Sequence, residues 1–497
     1  MNFDNFIPLL MIISSFLPAI MIFGLAEEKQ NLRRALNLIG VVSTLVFVVF
    51  MFIGVYHDHH YETRFSLLPN IDLVLIAGPI ALFFGGLSSV LWLLTTIYAI
   101  GYLEGSPHRS RFFGFFSLCI TATLGIAFSG NLITFLIFYE MLTLVAYPLI
   151  VHRGTEESRL AGQSYLKYTI FGGTLLLLGT VWLYTLTGTL DFTPRGFIEN
   201  VDEEHYYALV SIFILLITGF GVKAALFPLH GWLPRAMVAP APVSALLHAV
   251  AVVKAGAFGI VLVVYEVFGV EKAAQMGLTQ PLAVVAAMTI IYGSVKALYQ
   301  DDLKRRLAYS TVSQVSYIIL GTAIVGPIAT IGGVVHLVHQ GVMKITLFFT
   351  AGNFAETLGI HKVSEMNGVG RRMPLTMTAF TIGALGMIGV PPIAGFISKW
   401  YLGLGALEAN QDWVILILIG SSLLNAGYFL PILYRAWFLP EPDKWPDEHD
   451  FGSKETSLML LIPPLVTALL ALVFGLLASS SYSPLEWVKL IANREFY

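Results

Sequence analysis

The sequence predicts an all-α polytopic membrane protein of about 14 transmembrane helices, with two inverted five-helix repeats and breaks in helices 7 and 12. Three observations predict it. Hydrophobic residues make up 56% of the 497 positions and charged residues only 12%, about half the charged share of soluble chains. Apolar runs of about 20 residues, the length that carries a helix across hydrocarbon, recur along the whole chain. Two of those runs contain proline-rich interruptions beside a lysine, a pattern tolerated in membranes only where the backbone is buried in protein or lines a hydrated cavity.

The spans run, in order, over Ile7 to Phe23, Leu36 to Tyr56, Leu73 to Ile100, Phe112 to Phe128, Leu132 to Val151, Tyr168 to Leu186 and Tyr207 to Phe227. The second half continues with Val243 to Phe268, Leu282 to Leu298, Leu307 to Val325, Ile328 to Gly352, Leu375 to Leu404, Trp413 to Phe438 and Leu458 to Leu477. The first is a membrane helix rather than a signal peptide, because its leading residues hold Asp4, no Lys or Arg, and no clear small-residue cleavage site follows. His57 to Asn70, Gly188 to His205 and Leu439 to Ser457 are the longest polar interruptions and read as surface loops; His57, His59 and His60 belong to a solvated loop rather than a metal site.

Connection charge sets orientation. Connections after odd-numbered spans hold Lys29, Arg33 and Arg34, then Arg109 and Arg111, Arg153 and Arg159, Arg235, Lys304 to Arg306, Lys362, Arg371 and Arg372, and Lys444 and Lys454. Those after even-numbered spans hold little beyond Arg64, Arg195 and Lys272. Both termini are therefore expected on the non-cytoplasmic side of the cell inner (plasma) membrane, with Lys489 and Arg494 in the tail pulling the other way. The 28 basic and 31 acidic residues leave a net charge of -3, without the basic excess that gathers nucleic acid. The single cysteine, Cys119, cannot build a disulfide, an iron-sulfur site or a structural zinc site by itself. No P-loop is present, and Gly368-Val369-Gly370 lacks the strand and helix of a dinucleotide fingerprint, so no cofactor is expected.

Ionisable residues occur where insertion costs about 2.5 to 3.5 kcal/mol each. Glu140, Lys223, His248, Lys254 and Lys344 lie inside spans, and Lys399 follows Val390-Pro391-Pro392-Ile393-Ala394-Gly395. Lys296 and Arg435 lie near helix ends and read as interfacial anchors. Glu140 and Lys254 are flanked by apolar residues for more than a turn, which points to an ion pathway. His248 is a proton carrier or a satisfied core histidine. His336, Gln340 and Lys344 recur at i, i+4 and i+8 and share one helix face, whereas His339 points away from it.

Phe227-Pro228 to Leu233-Pro234 interrupts the seventh span just after Lys223, and the Pro391-Pro392 break comes five helices later. An odd-numbered repeat inserts upside down, which gives units 112–268 and 280–438, preceded by helices in 1–111 and followed by a loop, helix 14 and tail in 439–497. A lysine in a low-dielectric site loses its proton more readily, and a nearby carboxylate restores it. Separation of a Glu140–Lys223 pair would then release a proton toward Lys254 and onward through His336 and Lys344 to Lys399. A static buried salt bridge needs no further row of lysines. For a transported cation, Asp72 and Thr143 offer oxygens but form no cage.

The strings NLITFLIFYEMLTLVAYPLI, FGVKAALFPLHGWLPRAMVAPAPVSALLHAVAVVKAG, DDLKRRLAYSTVSQVSYI, HLVHQGVMKITLFFTAG and GVPPIAGFISKW resemble the antiporter-like subunits of respiratory complex I and its relatives, over nearly the whole chain. The length, Lys at 399 and the lack of a long C-terminal lateral helix look most like the D subunit of Mrp-type multisubunit monovalent cation/proton antiporters. Tyr139-Glu140-Met141 and Ser164 to Tyr168 also resemble membrane-bound hydrogenase subunits. The resemblance implies Glu140 and Lys223 as coupling pair, Lys254 as central proton carrier, His336 and Lys344 as connecting groups and Lys399 as terminal carrier, with His248 retained beside them. It implies partner subunits, membrane lipid, protons and Na+ or K+, and leaves open a proton-pumping arm of an NADH-quinone oxidoreductase or hydrogenase complex.

Overall fold

A computed structural model of the protein describes residues 3–69, 71–198, 203–449 and 455–497; Asn70 and Lys454 lie outside them. The first half comprises α1 (Ile7–Phe23), α2 (Gln30–Tyr56), β1 (Glu62–Leu68), β2 (Ile71–Ile76), α3 (Pro79–Tyr102), α4 (Arg109–Ala127), α5 (Leu132–Ile150), α6 (Glu156–Thr187) and α7 (Tyr206–Lys223). Short pieces α8 (Trp232–Arg235) and α9 (Ala241–Ala245) lead into α10 (Val252–Leu262), and α11 (Val270–Gln275) follows. The second half comprises α12 (Thr279–Leu298), α13 (Leu303–Ala323), α14 (Pro327–Leu358), α15 (Val369–Arg372), α16 (Pro374–Ile388), α17 (Ala394–Glu408), α18 (Trp413–Phe438), α19 (Leu458–Leu476) and α20 (Pro484–Phe496).

Among the described residues, twelve helical stretches are long and apolar enough to cross a membrane. Adding α13 and the α16/α17 pair gives the 14 crossings read from the sequence. α13 falls short in apolarity because Ser310, Ser313, Gln314, Ser316 and Tyr317 are all buried in the protein rather than facing lipid. Local chemistry sets the ends. Asn131, Thr155 and Asp302 cap α5, α6 and α13 by accepting the amides of Thr134, Ser158 and Arg305 at 2.8, 3.2 and 2.7 Å. Gly188 and Gly359 close α6 and α14 in the left-handed region.

Three expectations need correction. The third span begins at Pro79, not Leu73, because Ile71–Ile76 pairs antiparallel with Glu62–Leu68 in a hairpin on the surface. Part of the 57–70 interruption is therefore strand, in a fold that is otherwise all helical as expected. Asp72 lies in this hairpin, 3.1 Å from Arg64, and so away from any ion route through the helices. The expected tail after α19 forms the amphipathic α20, pinned by Trp487 Nε1 donating to the Pro79 carbonyl at 2.8 Å. Several helices also start earlier than apolarity alone marks: α2, α6 and α13 each carry a polar first turn outside the apolar run.

Hydrogen bonds sort the connections into two ends of the bundle. Arg64 ties Glu62, Asp72 and Asp191 together at one end, where α20 also joins Arg494 to Glu266. Glu27, Arg109, His152, Lys304 and Arg372 lie in connections of the opposite, more basic parity.

Candidate functional site: a buried lysine axis

Helix α7 ends at Lys223, where Ala224 and the left-handed Ala225 turn the chain out of the helix ahead of Pro228. The expected break after Lys223 is thus present, four residues earlier than the span boundary. Lys223 is fully buried. Its ammonium donates to the Tyr139 carbonyl and lies 3.3 Å from the centroid of the Tyr139 ring, a cation held by a dipole and a π face. Tyr139 is fixed by its hydroxyl donating to the Gly219 carbonyl at 3.1 Å, and Trp232 Nε1 donates to the Val222 carbonyl at 2.8 Å.

Glu140 lies next to Tyr139 on α5 but is half-buried, its carboxylate against Gly173 of α6 and Oε1 without a hydrogen-bond partner among the described residues. Among the same residues no ion pair joins it to Lys223. The expected pair is adjacent in sequence to the contact but not closed in this arrangement; the lysine has taken the backbone oxygen beside the carboxylate.

Lys254 follows on α10, buried, with Nζ donating to the Leu337 carbonyl of α14 at 2.8 Å. Gly256 lets α10 lie against the end of α7: a Cβ there would come within 2.8 Å of the Lys223 carbonyl carbon and 2.7 Å of the Phe220 oxygen. His248 lies in a π-helical turn, Leu246–Val250, ahead of α10, and π turns often mark functional sites. Neither of its ring nitrogens has a partner among the described residues, and its ring centroid is 4.6 Å from that of Phe348.

α14 carries the next groups on one face, as the i, i+4, i+8 spacing predicts. His336 Nδ1 hydrogen-bonds Ser398 Oγ at 2.8 Å, and Lys344 Nζ donates to Ser310 Oγ. Gln340, between them, has neither amide atom satisfied by the described residues. His339 packs its ring 6.4 Å from Phe474, off that face. Lys399 lies in the first turns of α17 and reaches back across the break, donating to the Met387 and Ile388 carbonyls at 3.0 and 2.9 Å and to Ser422 at 3.1 Å. Those carbonyls terminate α16 and have no intrahelical partner, so both Lys223 and Lys399 sit at a helix C-terminus, the end that favours a cation. Asn425 also donates to the Met387 oxygen, at 3.1 Å.

Glu140, Lys223, Lys254, His336, Lys344 and Lys399 thus lie on α5, α7, α10, α14 and α17. Among the described residues none of the four lysines has a carboxylate partner. Unpaired buried atoms on His248, His336, Gln314 and Gln340 occur beside these groups among the described residues; each would cost about 1 to 3 kcal/mol if left without any partner. Tyr139, Ser310, Ser398 and Ser422 escape sequence reasoning. Tyr139 and Ser398 adjoin Glu140 and Lys399, which is the only signal; the serine hydroxyls are otherwise indistinguishable from packing residues. Thr143 spends its hydroxyl on the Tyr139 carbonyl at 3.3 Å. Lys296 and Arg435 do lie near the ends of α12 and α18.

Residues 129–425, which contain every group of this axis, match the model of the NADH:quinone oxidoreductase/Mrp antiporter transmembrane family. The chain belongs to this family. Members similar to it include the N subunit of NADH-quinone oxidoreductase from Desulforudis audaxviator (strain MP104C), 37% identical over 82% of this chain and 83% of that one. The D subunit of the Na(+)/H(+) antiporter of Alkalihalophilus pseudofirmus is 26% identical, covering 91% and 90%. The A subunit of the antiporter from the same organism is 32% identical over 93% of this chain, which spans 60% of that longer protein. The fold matches a chain of the Mrp complex from Dietzia sp. DQ12-45-1b with a TM-score of 0.87 at 21% identity, over 100% of this chain and 98% of that one. This member of the NADH:quinone oxidoreductase/Mrp antiporter family is a multi-pass membrane protein.

Proposed function

We propose that the chain is the ion-translocating subunit of a multisubunit monovalent cation/proton antiporter, moving protons along the Glu140, Lys223, Lys254, His336, Lys344 and Lys399 axis with His248 as a side group. The observation that carries this is the row of buried lysines held by carbonyl and hydroxyl oxygens without counter-ions. A cation so held is poised: a carboxylate brought near favours its charged form, and withdrawal favours release of the proton. Glu140 and Lys223 form the switch, Lys254 the central station, His336 and Lys344 the connection and Lys399 the far terminus. Two breaks beside lysines, five helices apart, support inverted units 112–268 and 280–438 between segments 1–111 and 439–497.

Glu140 is half-buried on the flank of the bundle, and an ionised carboxylate facing hydrocarbon costs about 2.5 to 3.5 kcal/mol. That cost supports a companion protein covering this face. The basic connections support a plasma-membrane orientation with both termini on the non-cytoplasmic side, and the relatives named as Na(+)/H(+) antiporter subunits support Na+, or the similar K+, as the exchanged ion.

The test is cation-induced dequenching of a pH-gradient dye in inverted vesicles carrying the assembled complex, beside Glu140→Ala. Na+ or K+ is expected to collapse the gradient only in the unsubstituted complex. An assembled complex that no cation discharges overturns antiport. A redox-driven proton pump is the second reading, supported by the 37% identity to a protein named as part of an NADH-quinone oxidoreductase.

A further inference from the structure

A cleft of about 750 Å³ opens on the flank of the bundle between α12 and α18. Its walls are apolar: Val284, Met288, Tyr292 and Val295 from α12, Ile417 from α18, and Phe227 from the broken segment after α7. Among the described residues Lys296 is the one charged residue lining it; this side chain is exposed, with Nζ 5.8 Å from the Tyr292 ring centroid. Val284 to Lys296 covers about 18 Å of helix, slightly more than half of a hydrocarbon core of about 30 Å. Lys296 precedes the end of α12 at Leu298 by two residues, and the chain continues into the basic segment of Lys304 and Arg305, so it belongs to the headgroup end of the helix.

An apolar cleft of this kind does not hold water, and a cation at its mouth attracts an anion. The groove is open along its length, and its apolar walls suit a hydrocarbon chain laid beside a headgroup held at Lys296. We propose that the cleft binds an anionic phospholipid, its phosphate on Lys296 and one acyl chain lying along α12 to Phe227. The chain would end against the break after Lys223, since Phe227 stacks with His230 at 5.9 Å and packs its ring, tilted, 4.7 Å from Tyr292, and its amide donates to Thr289 of α12 at 3.1 Å.

A photo-crosslinking residue at Met288, 50% exposed, in the assembled complex reconstituted in vesicles of equal parts phosphatidylglycerol and phosphatidylcholine tests this. The expected product is a phosphatidylglycerol adduct, several-fold over phosphatidylcholine, with Lys296→Glu removing the preference. Equal labelling of the two lipids overturns the proposal, as does an adduct to another protein of the complex. Crosslinking from Val295 gives the same readout should the Met288 variant assemble poorly.

Discussion

At Lys223 a single side chain is stabilised by two features of one neighbour. The carbonyl of Tyr139 survives any substitution of that residue; the ring does not. A cation over a desolvated aromatic face gains about 2 kcal/mol, so Tyr139→Leu should lower transport by tenfold or more in the vesicle assay, whereas Tyr139→Phe, which loses only the bond to the Gly219 oxygen, should cost about 1 kcal/mol and retain most of it. Equal losses in the two variants would show that the ring face does not hold the ammonium. Ser398→Ala strips His336 Nδ1 of its partner and is expected to slow transport several-fold while leaving assembly unchanged, measured by initial rate per assembled complex. Outside the membrane, burial first and then Arg111 push the His152 imidazole down to about 4. Its folded value is below the unfolded value of about 6.5, so between those values the unfolded chain binds the proton and the native one does not. Stability should therefore fall as pH drops from about 6.5 to 4, and His152→Phe should flatten that slope in thermal inactivation curves.

At the scale of elements, close approach decides how α10 lies against α7. Gly256 has no room for a Cβ against the Phe220 oxygen and the Lys223 backbone; Gly256→Val should separate α10 from α7 and abolish transport even with every lysine in place. Gly389 sits at φ 99° where α16 ends, a conformation that suits glycine, and a Cβ there would lie 2.9 Å from Lys399 Cδ. The backbone turn and the lysine stem thus share one constraint that no single residue type announces. The carboxylate of Glu27 accepts the amides of Arg109 and Ser110 at 3.0 and 3.1 Å, capping α4, and Glu27→Ala should cost about 1 kcal/mol, read as a lowered midpoint of thermal inactivation. The helices themselves were legible because hydropathy and length determine a crossing. The hairpin was not: Ile71-Asp72-Leu73-Val74-Leu75-Ile76 runs almost directly into the apolar start of α3, and a window of about 20 residues merges strand and helix. Likewise α20 is too short and too polar for a crossing and declares itself only through its docking on Pro79 and Phe52.

Across the whole molecule the row of titratable groups reaches the flank at both ends, since Glu140 and Lys399 are half-buried while Lys223, Lys254, His336 and Lys344 are fully buried. The sequence reveals which ionisable residues lie inside spans, because insertion cost makes each of them conspicuous. It does not reveal what each touches, because carbonyl acceptors such as those of Tyr139, Leu337 and Met387 carry no sequence signal. Glu140→Gln removes the charge facing outward; it should make the chain extracted without companions more resistant to thermal aggregation and abolish transport in the complex. A less stable variant would mean that Glu140 is already satisfied within the chain. The long α14 has a mechanical consequence. Every residue from Ala329 to Phe354 is buried, so this element is a beam clamped on all sides, and tilting or sliding it would disrupt close-packed contacts along its entire length. Any rearrangement of this chain that spares those contacts leaves α14 in place.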